Sequence, residues 1–419
     1  VILFRLYRHA PLLLLVLATA QAHGADTPLL PGDPGEGHRF GASVAIDSDT
    51  AVVGAPYAGN ENGLNAGAAY VFRKIDGAWT LQQRLLNPDT TLTTGDQFGS
   101  AVAVAGDLIA VGARIDNASR GAVHVFERAA AGSPFAASEK LLAEDGASGD
   151  RFGQTLSMRR GASSTTLAIG APFKDLAGAG DAGVVYVYAR PHAGLQFIQQ
   201  ARLSAGGSAA ASDEFGHALE LSETGDRLVV GVPYDDDRGA NSGSAFVFAR
   251  SGNLWSQQAK LVPTSLVAGD GFGSAVAISG SSVLVGAPLV TSGYGRGFVY
   301  ALTGGAWQLQ ATLPTPWAGT HYFGSAVQLL GDYAAMAGPR LSQSTTAPIA
   351  RFRRTGDTWS QTGALSTGGS PNPNGFGAAL ALSGETLLVG APSQAAETGA
   401  AYAFTVDLLS LFGNGFEPQ

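Results

Sequence analysis

Seven times along the chain the dipeptide Phe-Gly recurs, at Phe40-Gly41, Phe98-Gly99, Phe152-Gly153, Phe215-Gly216, Phe272-Gly273, Phe323-Gly324 and Phe376-Gly377. The steps between copies are 58, 54, 63, 57, 51 and 53 residues. A repeat of that length is one supersecondary unit that cannot bury its own apolar faces, so the copies must pack on one another in a stack or a closed ring. The same regularity narrows the functional reading. A residue present in every copy is explained by the fold, and function has to be sought where a copy departs from the others.

Each unit reads as four short strands. The first follows Phe-Gly and alternates small with apolar residues, as in Ala42-Ser43-Val44-Ala45. The second is an apolar run closed by Gly-Ala-Pro or a near variant, such as Ala51 to Pro56 and Val283 to Pro288. Proline ends it because it has no N–H to give to a ladder. The third is rich in aromatic and β-branched residues, as in Ala69-Tyr70-Val71-Phe72 and Val185-Tyr186-Val187-Tyr188. The fourth follows a short glycine turn, and its period of two is expected to put Trp79 with Leu85, Trp255 with Leu261, Trp307 with Leu313 and Trp359 with Leu365 on one face, with all four tryptophans in the core. Four antiparallel strands repeated seven times predict an all-β, seven-bladed β-propeller of four-stranded antiparallel blades.

Ring closure is also legible. The seventh unit runs out of residues before a full fourth strand, and Leu30 lies ten residues before Phe40, near the spacing of the other fourth-strand leucines. The stretch Asp26 to Leu30 is therefore expected to complete the last blade, with the propeller spanning 26–410 and a tail at 411–419. The sixth unit is the most degenerate, with Ala337-Gly338-Pro339 for Gly-Ala-Pro and Pro348 expected inside its third strand.

Residues 1–22 have the parts of a secretory leader: Arg5 and Arg8, the apolar run Pro11 to Ala18, and Ala20-Gln21-Ala22 at the cleavage site. The expected product is a secreted protein, in the periplasm, at the cell surface or outside the cell. A leading valine reads as an alternative start codon translated literally, as in a bacterial gene. No run is long enough for a transmembrane segment. With no cysteine there is neither a disulfide framework nor a thiolate metal site, so the core must carry stability. The net charge of −8 becomes more negative once the leader goes, which argues against nucleic acid and anionic lipid as partners. The 58 glycines read as tight turns between short strands, because the apolar residues around them are patterned.

The Phe-Gly and Gly-Ala-Pro pairs, the Gly-Asp-x-Phe-Gly lead-ins at Gly95-Asp96, Gly149-Asp150 and Gly269-Asp270, and the Tyr-Val-Phe strands resemble the FG-GAP repeat of integrin alpha-subunit propellers and of bacterial exported proteins. The resemblance implies extracellular ligand binding or cell adhesion. It does not bring calcium with it. The family's Asp-x-Asp-x-Asp-Gly loop between the first two strands has no counterpart in the short Ile46 to Thr50 or Ser279 to Ser282, nor in the acid-free Arg159 to Thr166. No cofactor and no metal site are expected.

Strand reversal puts the loops joining strands two to three and four to one on one face, and these are the long, polar ones, where binding residues are expected. The acid two residues before Phe, at Asp96, Asp150, Asp213 and Asp270, reads as a turn cap, with His38, His321 and Asn374 at the equivalent places. Trp317 is the one tryptophan off the repeat position and shares its loop with His321 and Tyr322; it either stacks on a sugar or peptide or packs on the degenerate blade. Tyr234, Asp235 and Asp237 lie in an acid-rich loop that is either a solvated turn or a set of oxygen donors for Ca²⁺, although its spacing departs from that of a calcium loop. Tyr57, Asn60, Asn62 and Asn65 form a polar loop in the first unit. His217 and Glu220 interrupt a small-residue first strand but alternate to opposite faces, which argues against a catalytic pair.

Two readings follow. One is a monomeric, non-enzymatic binding or adhesion propeller for an extracellular glycan or protein. The other is a polysaccharide hydrolase or lyase, which needs acids, His, Tyr or Arg to converge near one mouth of the channel.

Overall fold

The structure, a computed structural model, describes residues 27–61, 63–89, 94–192, 196–317, 321–339, 348–367 and 375–407. The leader, the tail, Asn62 and Asn374 lie outside the described residues. The seven repeats form seven four-stranded antiparallel sheets. Blade one is Ser43–Asp47, Thr50–Ala55, Ala68–Ile75 and Ala78–Leu85 in that order, and the pattern repeats around the ring. The second strand of each blade lies in the interior; Thr50–Ala55, for example, is buried throughout.

One contact explains both signature dipeptides. The Phe rings are fully buried, and outside blade six each meets an aromatic ring of its own third strand edge to face, as with Phe40 and Tyr70 at 5.3 Å between centroids. The Phe N–H donates backward into the preceding blade, Phe98 to Ala66 O at 3.0 Å, while the following Gly N–H donates to the Gly-Ala-Pro glycine of its own blade, Gly41 to Gly54 O at 3.0 Å. A side chain at Gly54, Gly112 or Gly231 would fall on the carbonyl of the next blade's Phe-Gly glycine, so glycine stands at both ends of the seam. In blade six Ala337 replaces that glycine, and its methyl group faces Gly377.

The ring closes as predicted, with a one-residue correction. Thr27–Leu29 forms the outer strand of the last blade and pairs with Ala401 to Ala403. Leu29, opposite Ala401 as Leu85 is opposite Ala69, is the buried leucine, whereas Leu30 is 58% exposed. Pro348 also sits differently from expectation: it precedes the third strand of blade six, Ile349–Thr355, where its missing N–H costs no ladder bond.

The expectation for the fourth strands is overturned. Between Phe72 opposite Leu81 and Val71 opposite Gln83, Gln82 is an extra residue, and the same bulge recurs in the fourth strands of blades two to six. One inserted residue reverses parity. Trp79 therefore packs with Tyr70 and Phe72 toward the last blade, while Leu85 packs with Val71 and Phe98 toward blade two. Each fourth strand thus serves two interfaces. Trp255 is buried, but Trp79, Trp307 and Trp359 are only half-buried, at the outer rim. There the bulge residues tie the blades: Trp307 Nε1 donates to Gln258 Oε1 at 2.9 Å, and Trp359 Nε1 to Gln310 Oε1 at 3.0 Å.

Candidate functional site

On the face carrying the two-to-three and four-to-one loops, blades one to four share a network built from two registered positions. The aromatic position of the third strand lies opposite a basic residue of the fourth: Tyr70 with Arg84, His124 with Lys140, Tyr186 with Arg202, Phe246 with Lys260. Antiparallel pairing puts both side chains at the same height, under the loops. Asp33 accepts the Tyr70 hydroxyl at 2.7 Å and pairs with Arg84 at 3.0 Å. Asp145 does the same for Tyr186 at 2.6 Å and Arg202 at 3.1 Å. Burial, with the adjacent carboxylate second, holds both phenols well above their ordinary range, so they act as hydrogen-bond donors. The basic residues stand immediately before Leu85, Leu141, Leu203 and Leu261. That periodic cation was a readable signal that strand patterning alone passed over.

Lys260 decides what the acidic loop of blade four does. Its ammonium lies 2.7 Å from Asp235 and 2.8 Å from Asp237. Asp235 is buried and also accepts from Ser244 Oγ at 2.7 Å and from the Asp237 N–H at 3.0 Å. The loop is a turn closed around an internal cation, and Tyr234 stands half-out beside it, edge-on to His217 at 5.8 Å. In blade two the corresponding cluster is Asp89, Asp116, His124 and Lys140, with the Lys140 ammonium 2.7 Å from Asp89 and 2.8 Å from Asp116. Here a buried histidine replaces the aromatic of the other blades, edge-on to Phe98 at 5.7 Å. Burial pushes its imidazole down to about 4.

The remaining candidates are spread around the ring. Tyr57 lies under the Arg39 guanidinium, 4.9 Å from the ring centroid, and Arg39 pairs with Glu397 at 2.7 Å across the closure seam. Asn60 Nδ2 donates to Gly67 O within its own loop. Trp317 is half-buried and meets Phe323 edge to face at 6.0 Å. In blade six the third-strand aromatic is Ala350, so Trp317 supplies from a loop the ring that Tyr70 or Tyr186 supplies from a strand. His321 is buried, with its N–H on Gly293 O at 3.1 Å.

Tyr322 has φ 52° and borders a surface groove of about 480 Å³ lined by Val267, Asp270, Leu289, Thr291 and Tyr322. The equivalent residue of every repeat, from Arg39 to Gly375, is also at positive φ, so the conformation belongs to the lead-in turn. Tyr294, next to the groove residue Gly293, is exposed.

The lead-in acids cap turns as expected at three positions: Asp150, Asp213 and Asp270 accept from Ala147, Ala210 and Val267 N–H at 2.7, 2.7 and 2.8 Å. The equivalent N–H donor for Asp96 lies outside the described residues, and among those described Asp96 accepts from Asn87 Nδ2 at 3.2 Å. At Asp213, burial, reinforced by Asp235 and Asp236, pushes the carboxyl up to about 6. An unfolded aspartate titrates near 3.9. Between those values the unfolded chain loses a proton that the folded chain keeps, so this group's contribution to stability falls as pH rises from about 4 to 6 and stays low above. Asp213→Asn should raise the melting temperature at pH 8 by about 2–4 °C and leave it unchanged at pH 4. An equal shift at both pH values in a thermal melt would remove the ionisation argument.

The channel along the ring axis is lined by first-strand residues such as Val44, Val102, Leu219 and Leu380, with a cavity of about 190 Å³ among them and one of about 370 Å³ where the same strands end, at Asp47, Arg160 and Glu223. Glu220 is buried there against Arg159 at 2.9 Å, and burial pushes its carboxyl up to about 7. His217 turns away to Glu214 at 3.0 Å, so the two residues do not meet.

The FG-GAP repeat profile matches the sequence five times, over residues 25–72, 79–126, 135–188, 197–248 and 255–302, together more than half the chain. The second and later windows begin at or near the fourth strand of one blade and end in the third strand of the next, the same offset that closes the ring. A solved structure of Saccharomyces cerevisiae Sqt1 is similar, at 11% identity and a TM-score of 0.49, covering 89% of this chain and 98% of that one. No curated protein matches.

Proposed function

Because this chain belongs to the FG-GAP repeat family, whose propeller is in general a binding or adhesion-type module, we propose that it is an exported, non-enzymatic binding propeller that takes an extracellular glycan or protein on its two-to-three and four-to-one loop face. The groove beside Tyr322 carries this reading. It combines apolar side chains, Val267 at 62% and Leu289 at 43% exposure, with the Asp270 carboxylate, the Thr291 hydroxyl and the Tyr322 ring. Its size falls within the range of small-ligand sites, and exposed apolar groups rimmed by polar ones mark interaction surfaces.

A monomer fits the outer rim. Edge strands invite pairing between chains, and here bulges interrupt them in blades one to six. The leader lies outside the described residues, and export rests on its residue pattern.

The test is a glycan and peptide array probed with the chain lacking residues 1–22, followed by titration of the best hit. Leu289→Asp should weaken that hit by roughly tenfold or more, about 1–3 kcal/mol, with an unchanged melting temperature because the side chain is exposed. Undiminished affinity in this variant would take the groove out of the binding face.

A further inference from the structure

We propose that Asp89, Asp116 and His124 form a site for a divalent transition metal, Zn²⁺ by its donor set, in which the Lys140 ammonium holds the place of the ion. The three residues come from separate elements of the blade one to blade two junction. Asp89 follows the fourth strand Ala78–Leu85, Asp116 lies in the loop after Leu108–Ala113, and His124 is in the third strand Ala122–Glu127. One donor atom from each lies within 4.8 Å of the others. The site is on the opposite face from the short loops between first and second strands.

His124 is the independent observation. The other blades put Tyr70, Tyr186, Phe246, Phe298 and Tyr402 against the repeated Phe, and the His124 ring already makes that edge-to-face contact with Phe98. Its nitrogens are therefore surplus to packing. The side chain is 1% exposed, and neither ring nitrogen has a hydrogen-bond partner among the described residues, while Nε2 lies 4.0 Å from Asp116 Oδ2. A buried polar atom without a partner is costly, and a phenyl ring would remove the cost with the packing kept. A metal ion uses the nitrogen.

Lys140 marks where positive charge is favourable. Its ammonium bridges Asp89 and Asp116 from a side chain still 32% exposed, so it can extend into solvent when an ion enters. Asp96 stands beside the cluster through Asn87, adding a carboxylate that the single ammonium leaves uncompensated. One imidazole with two carboxylates suits Zn²⁺ better than Ca²⁺ or Mg²⁺, which take oxygen donors in larger number. Three protein ligands leave a fourth position for solvent.

The experiment is calorimetric titration of the untagged, chelator-treated chain with ZnCl₂, with Co²⁺ absorption as the optical probe. Wild type should bind one ion per chain. His124→Phe restores the aromatic residue type of the other blades, so it should keep the melting temperature and lose Zn²⁺ affinity by more than the roughly 10- to 100-fold typical of losing an outer-shell partner. Lys140→Met should tighten binding by roughly tenfold, since a competing unit charge is gone. If His124→Phe fails to fold, Asp116→Asn takes its place with the same expected loss. The proposal is overturned if wild type gives neither saturable heat nor a Co²⁺ spectrum, if only Lys140→Met binds, or if the folded ligand variant binds as wild type does.

Discussion

A chain that starts at residue 31 is expected to lose its cooperative thermal transition or to melt at least 10 °C lower, because the last blade then has no outer strand. Thr27–Leu29 supplies the backbone partners of Ala401 to Ala403 and a fully buried leucine. Leu→Ala in a core costs about 2–5 kcal/mol by itself. Exposing the third strand of the last blade adds unpaired N–H and C=O groups to that. The point variants separate side chain from backbone: Leu29→Ala should fall in the core range, whereas Leu30→Ala, at an exposed position, should be silent. A truncated chain that melts like the full one would mean that the ring does not depend on this strand.

Gly41→Ala should be a severely damaging single-methyl change, about 3–5 kcal/mol. The residue has φ 91°, which side chains other than hydrogen rarely tolerate, and a Cβ would fall on the Ala400 carbonyl across the closure seam. The contrast is Gly77→Ala in a hairpin turn, also at positive φ but with open space around it, where only the backbone term of about 1–2 kcal/mol remains. Chemical denaturation of the two variants gives the difference. Equal losses would show that blade contact contributes nothing beyond backbone strain.

The order, number and class of strands were legible because each has its own local signal: proline ends the second, aromatics mark the third, and Phe-Gly opens the first. Even closure could be read, since a fourth strand missing at one end and spare at the other has one economical solution. The error of one residue there came from judging register by loop spacing, which varies, when the pairing of Leu29 with Ala401 sets it.

The candidate site was less legible. The acids at Asp235 and Asp237 were picked out by composition, but their partner Lys260 sits in another strand and becomes visible only through the cross-strand pair with Phe246. Trp317 stood out as a departure from the repeat. What the departure serves depended on Ala350, the missing ring that it replaces. His124 was a departure of the same kind, hidden because histidine passes for one more strand residue until its burial and its lack of partners are seen.

By itself the sequence determined the architecture of this protein, because the repeats must bury one another's faces and the period of each strand is written in neighbouring residues. Tertiary structure alone decided which faces meet and which polar groups share a site. Gln82 shows why: six residues separate Trp79 from Leu85, an even count that reads as one face, yet one bulged residue between them sends the two side chains into different blade interfaces. A bulge is selected by the strain and packing of the whole sheet, and the meeting of Asp89, Asp116 and His124 by how two blades dock. Neither is encoded within a window of the chain.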